Sequence, residues 1–167
     1  MRHLKLKWLK KLQKRQRLSN RVVLKDKQMN SQECIFCRIV AGEIPAASVY
    51  EDEQVFAFLD IGPIHKGHTL VIPKEHAATV DQCSPDILSA IGPVLGRIGK
   101  AVVASTGCDG YNCLCNNGRA AGQLVDHVHF HIIPRFDGDG FLKPWPAGKY
   151  EDGGLEAMAE AIRKNIE

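Results

Sequence analysis

Between residues 127 and 131 the chain reads His127-Val128-His129-Phe130-His131, followed by Ile132, Ile133 and Pro134. Residues two apart on a strand share one face. A strand from Asp126 to Ile133 therefore points three imidazoles one way and sends Val128, Phe130 and Ile132 into a core. One histidine is usually a satisfied structural residue, but three in strict alternation demand a chemical reason. From the residues alone two reasons stand: a catalytic face, or a face that binds a metal ion, since alternating histidines also suit Zn²⁺.

The surrounding pattern supplies the rest of a sheet. Residues 48–52 and 54–60 read as a hairpin, with Val55, Ala57 and Leu59 alternating against Phe56, Phe58 and Asp60. His68 to Ile72 is a short apolar strand stopped by Pro73, and Tyr111 to Cys115 another, followed by the turn Asn116-Asn117-Gly118. Ile87, Ile91, Val94, Leu95, Ile98 and Val102 recur at helical spacing and predict a helix over 86–104, kinked at Gly92-Pro93. Leu155, Met158, Ala159 and Ile162 mark a final helix. Strands, helix, strands, helix is the order of an antiparallel α+β domain.

The net charge of +3 hides two unlike regions. Residues 1–32 hold 11 Lys or Arg against the single acid Asp26, a net +10, while residues 33–167 carry 11 basic and 18 acidic residues, a net −7. The basic balance belongs to an N-terminal arm, and the domain of residues 33–167 shows no nucleic-acid footprint. The arm places Leu4, Trp8, Leu9 and Leu12 on one helical face among lysines and arginines. It reads as a solvated tail upstream of a start at Met29, as a segment for acidic lipid or nucleic acid, or as a targeting peptide. No stretch approaches the roughly 18 apolar residues of a membrane span, so no transmembrane segment is expected. With no secretory leader in the pattern, six cysteines imply thiols in a reducing cytoplasm. Cys34-x-x-Cys37 then reads as half of a metal site, with free buried thiols or a redox pair as alternatives.

Upstream of the histidines lie Asn116-Asn117-Gly118 and Ala121-Gly122-Gln123. Such residues build a turn, and equally a cradle of N–H groups for a phosphate. Together with His127 to Arg135, Cys34-Ile35-Phe36-Cys37, Phe58-Leu59-Asp60-Ile61 and His68-Thr69-Leu70-Val71-Ile72-Pro73-Lys74-Glu75-His76, this segment resembles the histidine triad (HIT) family, on its Hint-like branch. The tail after residue 135 resembles that of bacterial HIT hydrolases less specifically.

The resemblance implies a sheet of about five antiparallel strands, continued across a homodimer, with a long helix and a C-terminal helix. It implies a nucleotide hydrolase that releases AMP or GMP from nucleoside phosphoramidates or dinucleoside polyphosphates through a covalent nucleotidyl-histidine. His129 would be the nucleophile, in the neutral form that an ordinary pKa near 6.5 permits at pH 7. His131 would contact the phosphate and help the leaving group depart, with His68 supporting from the neighbouring strand. Asn116 and Gln123 would donate to the phosphate beside the Gly122 backbone. Asp60 would accept from the ribose of a purine nucleotide, and Ile35, Phe36, Ile39, Phe58 and Ile61 would wall the base pocket. Cys34, Cys37, His76 and His127 would hold a structural Zn²⁺, leaving His129 and His131 for chemistry. The C-terminal segment around Trp145 would reach the partner's site. One departure stands out: Leu124 occupies the position where HIT hydrolases usually carry Ser or Thr. The competing functions are a nucleotidyltransferase or phosphorylase using the same intermediate, a nucleotide-binding protein with little turnover, and a hydrolase with all three strand histidines on zinc.

Overall fold

Positions 55–58 and 70–73 are apolar without a polar alternation, and in the computed structural model they are buried on both faces. The structure describes residues 33–141 and 147–166. The arm of residues 1–32 and Trp145 lie outside the described residues. The described chain forms two compact units, one ending at Phe136 and one beginning at Asp137.

The first unit carries α1 (Ile35–Val40), β1 (Ser48–Glu51), β2 (Val55–Leu59), β3 (Thr69–Pro73), α2 (Pro85–Thr106), β4 (Gly110–Cys115) and β5 (Phe130–Arg135). The five strands make one antiparallel sheet in the order β1-β2-β3-β5-β4. On one face Val55, Ala57, Val71 and Ile132 pack against Ile87, Ile91, Val94, Ile98 and Val102 of α2. On the other, Phe56, Phe58, Leu70 and Ile72 pack with Cys34 and Phe36. This second cover explains why the expected alternation of β2 does not appear as one wet and one dry face.

α2 begins where its sequence says it should. The Ser84 hydroxyl accepts from the Ile87 N–H at 3.3 Å, Pro85 opens the first turn, and Gly107 ends the helix in the left-handed region at φ 66°. The helix runs through Pro93 as one element from 85 to 106. At 22 residues and a mean hydropathy of 1.5 it is long and apolar enough, by composition, to cross a membrane. That corrects the expectation that no segment reaches this length. Its apolar stripe is the one that covers the sheet, as in the core helix of a globular domain.

β5 differs from its expected span of 126–133. It starts at Phe130 because its neighbours run out there: β4 ends at Cys115 opposite Phe130, and the β3 pairing ends at Val71 opposite Phe130. It continues through Pro134, which pairs with Tyr111 of β4 past the last β3 partner, Thr69 opposite Ile132. A position flanked by one strand tolerates the missing N–H. His127 and His129 thus precede the strand proper.

In the second unit α3 (Gly154–Arg163) carries Leu155, Met158 and Ile162, all exposed.

Candidate active site and metal centre

Two clusters form on the sheet face that α2 leaves open. The first gathers Cys34, Cys37, His76 and His127, whose ligand atoms all lie within 4.8 Å of one another. Cys34 caps α1 and Cys37 lies inside it, so this short helix delivers both thiols. His127 Nδ1 lies 3.4 Å from Cys34 Sγ and 3.5 Å from Cys37 Sγ, and His76 Nδ1 lies 3.3 Å from both Cys37 Sγ and His127 Nδ1. A tetrahedral zinc ion with ordinary bond lengths spaces its S and N donors about 3.5 Å apart and its N donors about 3.3 Å apart, so the donor set fits. His127 Nε2 donates to the Pro73 carbonyl at 2.9 Å, which leaves Nδ1 bare and aimed into the cluster. Burial keeps this ring neutral, with its pKa down at about 4. Burial and the neighbouring Cys34 push the Cys37 thiol up to about 12, so a thiolate pair here needs a cation beside it. The C-x-x-C opens a helix, as a redox pair would, but among the described residues every strand pairing is antiparallel and the thiols face two imidazoles.

The second cluster begins two residues further along the same segment, at His129. His129 Nδ1 donates to the His127 carbonyl at 2.6 Å, so its Nε2 carries the lone pair. Phe36 presses edge-on against His129, with centroids 5.3 Å apart, and the His129 and His131 rings lie 4.9 Å apart. His131 Nδ1 lies 3.0 Å from His68 Nε2. Asp60 Oδ2 is 3.7 Å from His68 Nδ1. Burial, then the charges that His129 and His68 could carry, pulls the His131 pKa down to about 4, and burial lowers that of His68. The same ring of residues holds Phe58, in edge contact with Phe36 at 5.6 Å, and Ile39, packed on the same cluster.

The other expected residues differ in exposure and in hydrogen bonding. Ile35 and Ile61 are exposed, Ile61 completely. Gln123 is 2 % exposed and its amide is fully engaged: Nε2 donates to the Ala78 and Val125 carbonyls at 2.6 and 3.0 Å, and Oε1 accepts from the Gly118 N–H at 2.7 Å. In this structure both amide protons staple the loop to its neighbours. Asn116 is half-buried beside Gly122, whose φ of 89° lies in the left-handed region that disfavours any residue but glycine. Leu124 stands 89 % exposed at the end of this loop.

Two supporting groups had no signal in the sequence. The Pro73 carbonyl orients His127, and the Ile64 N–H lies 3.4 Å from His68 Nδ1. Both contribute backbone atoms, which any residue supplies.

Comparison with known proteins agrees with this geometry. The family described as HIT domain matches residues 41–138. An uncharacterized HIT-like protein of Methanocaldococcus jannaschii is 56 % identical over 130 residues, spanning 78 % of this chain and 98 % of that one. An adenosine 5'-monophosphoramidase of Schizosaccharomyces pombe is 45 % identical, over 80 % of this chain and 98 % of its own. Among solved structures, a HIT family protein of Bacillus subtilis superposes with a TM-score of 0.75 at 44 % identity, covering 80 % and 97 % of the two chains. A Zn-bound histidine triad protein of Mycobacterium smegmatis does so with a TM-score of 0.64 at 37 % identity, covering 81 % and 100 %. The chain belongs to the HIT family, and its α+β fold with a five-stranded antiparallel sheet is the HIT fold.

Proposed function

We propose that this protein hydrolyses nucleoside phosphoramidates or related α-phosphate derivatives and releases a nucleoside monophosphate through a nucleotidyl-His129 intermediate. The single observation that carries the reading is the His129 ring. Its Nδ1–H is tied to a carbonyl at 2.6 Å, which presents a fixed lone pair at Nε2. That nitrogen attacks the α-phosphorus, an N–P bond forms, and the bond to the leaving group breaks with its electron pair going to the leaving atom. Water then attacks phosphorus, the P–N bond breaks, and AMP or GMP departs. Two easier displacements replace one difficult one. Phe36, Phe58 and Ile39 would stack the purine base, and Asp60 would accept from the ribose. The monophosphoramidase activity named for the yeast relative supports the choice of substrate.

Cys34, Cys37, His76 and His127 would hold zinc, with the zinc-bound relative in support. The ion would be structural, tying α1 to the entry of β5. With Cys34 and Cys37 on zinc, the other four cysteines would stay reduced in a cytoplasmic setting. Homodimerisation would use β4, the edge strand beyond β5, whose Tyr111 and Cys113 are exposed.

The test is AMP release from adenosine 5'-phosphoramidate and diadenosine tetraphosphate by wild type and His129→Ala. Release should fall by at least about three orders of magnitude in the variant, and a mass increase of one nucleotidyl group should be trapped on wild type alone. Turnover that survives His129→Ala sinks the reading. AMP replaced by ADP when phosphate is added would make the protein a phosphorylase. Tight AMP binding without turnover would make it a binding protein.

A further inference from the structure

His68 is 3 % exposed, and both of its ring nitrogens have a neighbour that constrains them. The Ile64 backbone N–H donates to Nδ1 at 3.4 Å. An N–H can only donate, so Nδ1 is the unprotonated nitrogen. A neutral imidazole with a bare Nδ1 carries its proton on Nε2, and Nε2 is the atom 3.0 Å from His131 Nδ1. The rule then passes to the next ring. His131 accepts at Nδ1, and its own single proton sits on Nε2.

The competing assignment protonates His68 at Nδ1, facing Asp60. The Asp60 oxygen is 3.7 Å away, beyond hydrogen-bond reach. Its other oxygen already accepts from the Gly62 N–H at 2.8 Å. That assignment would also set the Ile64 and His68 N–H groups against each other. Burial lowers the pKa of both rings, in keeping with neutral imidazoles.

We propose that the Ile64 backbone N–H fixes, through His68, the tautomer of His131, and so makes His131 Nε2 a neutral hydrogen-bond donor to the reacting phosphoryl group. The tautomer stands on the contacts above; its catalytic use rests on the nucleotidyl-transfer reading. A neutral imidazole in this role stabilises developing negative charge without giving up its proton. The P–N or P–O bond breaks with its electron pair on the leaving atom, and no proton leaves the protein in that step. His68 is then a positioning residue. The substrate class narrows to leaving groups that need no acid from the protein. An amine that arrives already protonated fits, as does a weakly basic oxygen such as that of a polyphosphate or sulfate.

The experiment is long-range ¹H–¹⁵N spectroscopy on the zinc-loaded full chain with ¹⁵N-histidine, assigned with a His131→Asn variant. Wild type should show His131 as the Nε2–H tautomer at pH 7. A wild-type Nδ1–H pattern, or a His131 imidazolium, overturns the proposal. His68→Gln keeps a side-chain N–H donor and should preserve that tautomer, whereas His68→Leu should give a mixture. In parallel, kcat for diadenosine tetraphosphate, whose leaving group is a weakly basic polyphosphate oxygen, should stay within about tenfold in His68→Gln and fall on the order of 10²-fold in His68→Leu. KM should change little. An equal loss of kcat in both variants reduces His68 to packing and overturns its positioning role. If wild type turns over nothing, the hydrolase reading fails while the spectra still decide the tautomer.

Discussion

At the scale of single residues, chemistry in this segment is assigned by hydrogen bonds more than by side-chain type. Gln123 shows this. The residue was legible as functional from its place before the histidines, and in the structure its amide ties the loop down, claimed by backbone groups of Gly118, Ala78 and Val125. Gln123→Ala removes those bonds from a buried site and should cost about 2–4 kcal/mol, read as a lower denaturation midpoint. A fall in kcat with stability unchanged would return Gln123 to the phosphate. Leu124 is the opposite case. It is 89 % exposed, so Leu124→Ser should leave the denaturation midpoint within about 0.5 kcal/mol of wild type. A hydroxyl there would supply the hydrogen bond that an apolar side chain cannot, and turnover of a poor leaving group should rise about tenfold. Equal turnover of the two proteins on such a substrate would count against any link between position 124 and the leaving group. The roles of His127, His129 and His131 separate for the same reason. Alternation placed them together, but only the Pro73 and His127 carbonyls and the His68 ring decide which nitrogen each presents.

At the scale of elements, the sequence was most legible where one signal had one cause. α2 has a serine cap, a proline in its first turn, an apolar stripe and a glycine stop, and its observed span differs from the expected one by a residue or two at each end. β5 was less legible because a strand begins where its partners begin, and that depends on the register of β3 and β4. α1 was not foreseen at all, since six residues carry too little periodicity. Its position follows from the cysteines, which bring it against His76 and His127. Cys37→Ser should therefore remove one equivalent of metal per chain. Because ligation is coupled to folding, the melting temperature should fall on the order of 10 °C. Metal content by mass spectrometry and a thermal scan of the same sample check both. A metal-free protein of full stability would show that α1 is held by packing alone. The turn before β3 offers a second test. Gly67 has φ 97°, and a side chain there would meet the Thr106 methyl at 2.6 Å. Gly67→Ala should destabilise by about 1–3 kcal/mol through backbone strain and that contact.

At the scale of the whole molecule, the site's neutrality becomes a property of the fold. His68 and His131 are held neutral by burial, His131 with a pKa down at about 4 and His68 below its ordinary value. In the unfolded chain both titrate near 6.5. A folded pKa below the unfolded one means that the unfolded chain binds more protons throughout the interval between them. Stability contributed by these rings is then fully present above about pH 6.5 and is lost as the pH falls toward 4. Metal ligation at Cys34, Cys37, His76 and His127 weakens over the same range, so a bare pH profile mixes the two effects. His131→Asn separates them, because asparagine cannot titrate while the four metal-site residues are unchanged. Between pH 7 and pH 5 the wild-type denaturation midpoint should drop further than that of His131→Asn, with metal content measured in both proteins. Parallel losses would mean that acid acts through the metal site alone, and that the histidine pair can take up a proton without strain on the fold.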